Sequence, residues 1–102
     1  MEFRASHRRP LMQYIVLNRA ETYSRLCRTD DLSLDGAFVH LRSPDLAPDQ
    51  RVEVLLVLRH AGRFAVHRVP ANVVRVARCG VGLRFDPYDD STYTALVNLL
   101  YA

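Results

Sequence analysis

Residues 52–69 read VEVLLVLRHAGRFAVHRV. Val52 to Arg59 is an apolar, β-branched run of strand length, His60-Ala61-Gly62 breaks it, and apolar residues resume from Arg63 to Val69. Two such runs around a short glycine-containing turn predict an antiparallel hairpin. Pro70 follows at once; it has no N–H for a ladder, so a bend or bulge is expected there in place of an unbroken central strand.

Strands are also expected at Leu11–Leu17 and, beyond a turn at Asn18-Arg19, at about Thr22–Arg28, where Tyr23, Arg25 and Cys27 share one face. Gly36 opens Ala37-Phe38-Val39, and His40 and Leu41 continue the alternation. Pro44 and Pro48 make 42–50 a loop. Asn72–Arg78 and Val81–Phe85 pair around Cys79-Gly80. The period then changes: Asp89 and Asp90 offer helix-starting carboxylates, and Tyr93, Leu96, Val97, Leu100 and Tyr101 follow at helical spacing as one apolar stripe.

These elements predict a mainly β fold, a small six-stranded antiparallel barrel with a C-terminal helix. With 102 residues one domain is expected, comprising a flexible basic N-terminal arm over 1–10, the barrel over 11–86 and the helix over 89–101. A barrel of this size is filled by its own side chains, so a ligand is expected on its outer surface. The longest apolar run, Val54 to Leu58, falls far short of the ~20 residues a membrane span needs, so no direct membrane insertion is expected. The opening MEFRASHRRP has no apolar stretch of a secretory signal, which points to a cytoplasmic location. Cys27 and Cys79 are too few for a metal cage or disulfide framework and are expected as reduced thiols.

All fourteen cations are arginine. Residues 1–28 hold six against Glu2 and Glu21, a net of +4, and residues 29–102 hold eight against nine acids, a net of −1. The surplus lies wholly in the first third. Arginine presents a planar fork suited to phosphates and guanine edges, although a chain without lysine more often reflects base composition.

Two local patterns stand out. Arg4-Ala5-Ser6-His7-Arg8 is R-x-x-x-R, followed by Arg9 and Pro10, and Asp31-Leu32-Ser33-Leu34-Asp35-Gly36 is D-x-S-x-x-G. Gly80-Val81-Gly82-Leu83-Arg84-Phe85 is a weaker third. In this order, over nearly the whole chain, they resemble the PilZ domain, a bacterial receptor for the second messenger cyclic di-GMP. The resemblance implies a binding role with no catalytic residues, no metal and no cofactor, cyclic di-GMP being the ligand. It implies that Arg4 and Arg8 clamp guanine edges and phosphates, with Arg9 as an auxiliary phosphate contact. Asp31 takes a guanine N1–H and N2–H edge, Ser33 lends a hydroxyl, and Gly36 permits a turn or a close backbone approach. Arg75 is a weaker candidate. Ordering of the arm on binding would signal to an as yet unidentified protein partner, in the motility and biofilm setting of the family. The position before Arg4, often arginine in the family, is Phe3 here. If Arg9 were the second motif arginine, its partner position would be Ala5 and the clamp would be half missing; the Arg4/Arg8 register is preferred because it keeps both cations and the Pro10 spacing.

Other readings compete. The same barrel could be a protein-interaction module of a type IV pilus or motility apparatus that binds no nucleotide. A nucleic-acid-binding barrel would use the basic arm, but there is no aromatic run of the kind single-strand binders stack on, so nucleic acid is not expected as a partner. Asp31 and Ser33 could also simply cap a turn.

Overall fold

A computed structural model describes residues 9–19, 23–42 and 44–101. In chain order the strands are β1 (Arg9–Pro10), β2 (Tyr14–Arg19), β3 (Tyr23–Leu32), β4 (Gly36–His40), β5 (Arg51–His60), β6 (Arg63–Ala77) and β7 (Gly80–Phe85); the helix α1 is Asp90–Tyr101. All pairings are antiparallel, and the six longer strands close in the order β2-β3-β4-β7-β6-β5 and back to β2. The expected six-stranded barrel with a C-terminal helix is therefore the observed fold. The short β1 continues the ladder along β3 past the end of β2, pairing Arg9 with Leu32 and Pro10 with Asp31.

The hairpin at 52–69 forms as its pattern predicts, with His60 paired to Arg63 across a two-residue turn. Ala61 and Gly62 both have positive φ, 54° and 78°, the left-handed pair whose twist matches antiparallel strands.

Pro70 does not break β6, which runs unbroken for 15 residues. In an antiparallel strand the N–H and C=O of one residue point to the same side. The Pro70 carbonyl accepts from Asp86 N–H at 2.8 Å, on the β7 side, and β7 ends at Phe85. The missing proline N–H therefore points past the end of β7, and no bond to β5 is lost. The irregularity expected at Pro70 lies further on, as a bulge between Val73 and Arg75.

The first long strand begins at Tyr14 and not at Leu11. Over 11–13 the buried Thr29 takes the place of a regular ladder. Its hydroxyl accepts from Gln13 N–H at 2.9 Å and donates to the Leu11 carbonyl at 2.5 Å, while its own N–H donates to the Gln13 carbonyl at 2.8 Å.

Alternate residues of the long strands point inward, among them Ile15, Leu17, Val54, Leu56, Leu58, Val69 and Leu83, all 2% exposed or less. Helix α1 packs chiefly against β5 and completes this core with Ala95, Leu96 and Leu100. Asp89 caps it, its carboxylate accepting from Thr92 N–H at 2.8 Å. That bond, with the Thr92 side chain, holds the Asp89 carboxyl below its ordinary value. The buried stripe is Thr92, Ala95, Leu96 and Leu100, whereas Tyr93 and Tyr101 are exposed. The expected stripe is thus rotated, because the helix approaches the barrel over its small Thr92 and Ala95 side chains and leaves the bulky tyrosines outside. Cys27 faces the core, where burial pushes its thiol up, while Cys79 is exposed in the β6–β7 turn.

Tyr88 ties the connector before the helix to the turn after β3: its hydroxyl donates to the Leu34 carbonyl at 2.5 Å and its ring meets Phe85 edge-on. Burial, with the Asp35 carboxylate nearby, pushes the Tyr88 phenol from 10.0 up to about 12. An acid whose pKa is raised by folding stabilises the fold fully below its unfolded value and less as pH climbs toward its folded one. Tyr88 should therefore add a loss of stability between pH 10 and about 12. Tyr88→Phe should remove that part of the alkaline decline in a pH series of melting curves, at a cost of about 1 kcal/mol near neutrality. An unchanged alkaline slope would refute the assignment.

Candidate functional site

Two bulges build the site. Where β3 meets β4, the register shifts between Thr29 and Asp31, leaving Asp30 as the extra residue. An inserted residue switches the inside–outside alternation. Leu32 consequently enters the core, and Asp31 is left only half-buried on the outer face. The second bulge, on β6, sets Val74 and Arg75 together against Gly82 of β7.

Between the bulges the registers join into one row across five strands. Pro10 pairs with Asp31, Asp31 with Phe38, Phe38 with Gly82, and Gly82 with Arg75. Asp31 and Arg75 thus lie three strand spacings apart, about 14 Å measured along the curved wall. Asp31, Phe38, Val74, Arg75 and Gly82 line an open pocket of about 300 Å³ on the outer wall of the barrel. The Asp31 carboxylate accepts from Phe38 N–H at 3.1 Å, which fixes it toward β4. The Arg75 guanidinium lies over the Phe38 ring, 5.1 Å from its centroid, a cation–π contact.

The glycines of Gly80-Val81-Gly82 make this possible. A Cβ on Gly80 would sit 2.5 Å from the Phe38 ring, so the ring can occupy that place only over glycine. Gly82 has no side chain between Arg75 and Phe38, and the guanidinium reaches across it. Sequence reasoning missed Phe38, whose apolar neighbours make it look like core. The signal was the G-x-G itself, since outward glycines in a strand call for an aromatic on the next strand to cover them.

The remaining candidates fall in different places. Ser33, only 1% exposed, donates its hydroxyl hydrogen to the Asp35 carboxylate at 2.6 Å, accepts from Asp35 N–H at 3.3 Å, and its own N–H donates to the Gly36 carbonyl at 2.9 Å. It ties the turn that joins β3 to β4. Gly36 lies hard against the Leu83 carbonyl of β7, with no room for a Cβ. The close approach expected of it is made to the protein's own backbone. Arg9 contributes its backbone to β1 beside Leu32, and Arg4 and Arg8 lie outside the described residues. Among the described residues no group of His, Cys, Asp and Glu could hold a metal ion, and no helix is long and apolar enough to cross a membrane.

A family model described as the PilZ domain matches residues 2–102. The chain belongs to the PilZ domain family. The fold has solved counterparts. The PilZ domain of CeSA from a cellulose-synthesizing bacterium superposes with a TM-score of 0.72 at 22% identity, covering 93% of this chain and 95% of that one. The Bacillus subtilis inhibitor of motility, MotI/DgrA, gives 0.81 at 13% identity, covering 97% of this chain and 50% of that one. This PilZ domain therefore spans half the length of the motility inhibitor. No match was found among curated proteins. PilZ domains are regulatory binding and adaptor domains, and the outer-wall pocket is where this one presents a fixed carboxylate and a stacked guanidinium.

Proposed function

We propose that this PilZ domain is a cyclic di-GMP receptor and adaptor, in which the N-terminal arginines close over the Asp31–Phe38–Arg75 pocket and the change in the arm signals to a protein partner. The reading is carried by the cross-strand row that starts at Pro10 and passes through Asp31. Arg9 is paired with Leu32, and Arg8 is joined to Arg9 by one peptide bond, about 3.8 Å between Cα atoms. The residue that follows the basic motif is thus paired beside the acidic one. Asp31 would accept from the donor edge of one guanine, the arginine forks would take O6, N7 and phosphate oxygens, and Arg75 on Phe38 would offer a cationic platform for the second base. Ser33 and Gly36 serve this site through the turn they hold; a direct ligand bond from Ser33 would need its hydroxyl to leave Asp35.

Calorimetric titration with cyclic di-GMP should give micromolar or tighter binding. Arg75→Ala should weaken it by roughly tenfold to thirtyfold, the range of one partly to fully desolvated cation–π contact, with the melting curve near that of the wild type. A flat titration of folded wild-type protein would defeat the proposal and leave the nucleotide-free interaction module.

A further inference from the structure

The outer face across β2 and β5, on the side of the ring away from β4 and β7, is apolar where a solitary surface would be polar. Val16 pairs with Leu26 on one side and Leu55 on the other, and in the adjacent row Val57 pairs with Val66. Leu26 and Phe64 are each 70% exposed and Val66 59%. With Leu55, Val57 and Val16 these side chains line a concave pocket of about 410 Å³. A contiguous exposed apolar patch of this kind marks an interaction surface.

Charge selects the occupant. Arg28 stands opposite Tyr14, Arg68 opposite Leu55, and Arg59 lies over the Phe64 ring at 5.6 Å. Glu53, in the next row along β5, is held by Arg68 at 3.1 Å, so among the described residues of these rows Arg28 and Arg59 are the cations left to face a partner. The rim is therefore cationic.

We propose that this face docks an acidic amphipathic segment of the signalling partner, with an apolar side chain in the concavity and carboxylates on Arg28 and Arg59. The inference rests on the adaptor half of the reading above and gives the partner's contact surface its chemistry. A second copy of the chain, related by a two-fold axis, would bring the arginine rims against each other. A flat bilayer would leave the concavity unfilled. The basic N-terminal arm carries the same sign of charge as the rim.

The test uses the whole chain and a labelled helical peptide bearing leucine and phenylalanine on one face and glutamate beside them, with a control in which lysine replaces glutamate. Fluorescence anisotropy should show saturable binding of the glutamate peptide and little of the lysine one. Amide shift changes should map to β2, β5, the Leu26–Arg28 part of β3 and the first half of β6. Leu26→Asp should weaken binding by at least about tenfold, as loss of a buried anchor does. The double substitution Arg28→Glu, Arg59→Glu should reverse the peptide preference with the melting curve retained. Equal binding of both peptides, no binding, or shifts confined to the Asp31–Arg75 wall would overturn the proposal. So would self-association, or binding to phosphatidylglycerol vesicles, that Leu26→Asp abolishes. Cyclic di-GMP titration of the same samples separates the two readings. A chain that binds nucleotide but not peptide loses only the docking face, and the converse loses only the receptor.

Discussion

Replacing Arg8 with alanine is expected to weaken cyclic di-GMP binding by at least about a hundredfold, because the proposed clamp would lose two charge-assisted hydrogen bonds at ~1.5–3 kcal/mol each. The expectation follows from the chemistry of the fork: guanine O6 and N7, or two phosphate oxygens, accept from both arms of one guanidinium. Arg8→Lys should therefore recover only part of the loss, since an ammonium keeps the charge without the planar geometry. Among the described residues the ladder begins at Arg9, and the melting temperature should move by no more than about two degrees. Arg9→Ala measured in parallel decides the register. A large loss with Arg8→Ala and a small one with Arg9→Ala fits the Arg4/Arg8 clamp, and the reverse order fits the shifted one. If Arg8→Ala binds like the wild type, the arm is not the clamp.

Gly36→Ala is expected to cost stability in place of affinity. A methyl group there would be driven into the Leu83 carbonyl oxygen, with the Arg84 backbone close behind. Both obstacles are main chain in the β4–β7 ladder, where Gly36 pairs with Arg84 and Ala37 with Leu83, so no side chain can rotate away. Relief requires prising the two strands apart at the seam between β4 and β7. A cost of about 3 kcal/mol, at the upper end for overpacking, corresponds to a fall of roughly 12–24 °C in melting temperature for a domain of this length. Gly82→Ala is the control, since its nearest neighbours would be side-chain carbons at 3.6 Å, and it should melt close to the wild type. Equal melting of Gly36→Ala and wild type would mean that the two strands are not seated as described.

The elements whose signal is local were legible in the sequence. The hairpin at 52–69 announces itself by an apolar run and a turn, and the helix by its capping acid and change of period. Features that depend on a neighbouring strand were not. Pro70 looks like a breaker until the end of β7 at Phe85 shows which way its missing N–H points. The helix stripe rotated because the barrel surface, and not the helix alone, selects which side chains fit. Asp31 heads the D-x-S-x-x-G pattern, and which way its side chain faces depends on the bulge at Asp30, which turns it outward beside Phe38. Neither bulge can be read from one strand, because each is a mismatch in count between two. Phe38 stayed hidden for the same reason, its partner glycines lying more than forty residues further along the chain.

The two cysteines differ in a way that suits the laboratory. Cys27 is shielded inside the barrel with its thiol pushed up, and Cys79 stands in the open at the β6–β7 turn. The reactive species is the thiolate, so a maleimide fluorophore added to the unaltered chain should attach at Cys79 alone. That label would sit one residue from Gly80, over which the Phe38 ring lies, placing an optical reporter at the margin of the Asp31–Arg75 pocket without a single engineered substitution.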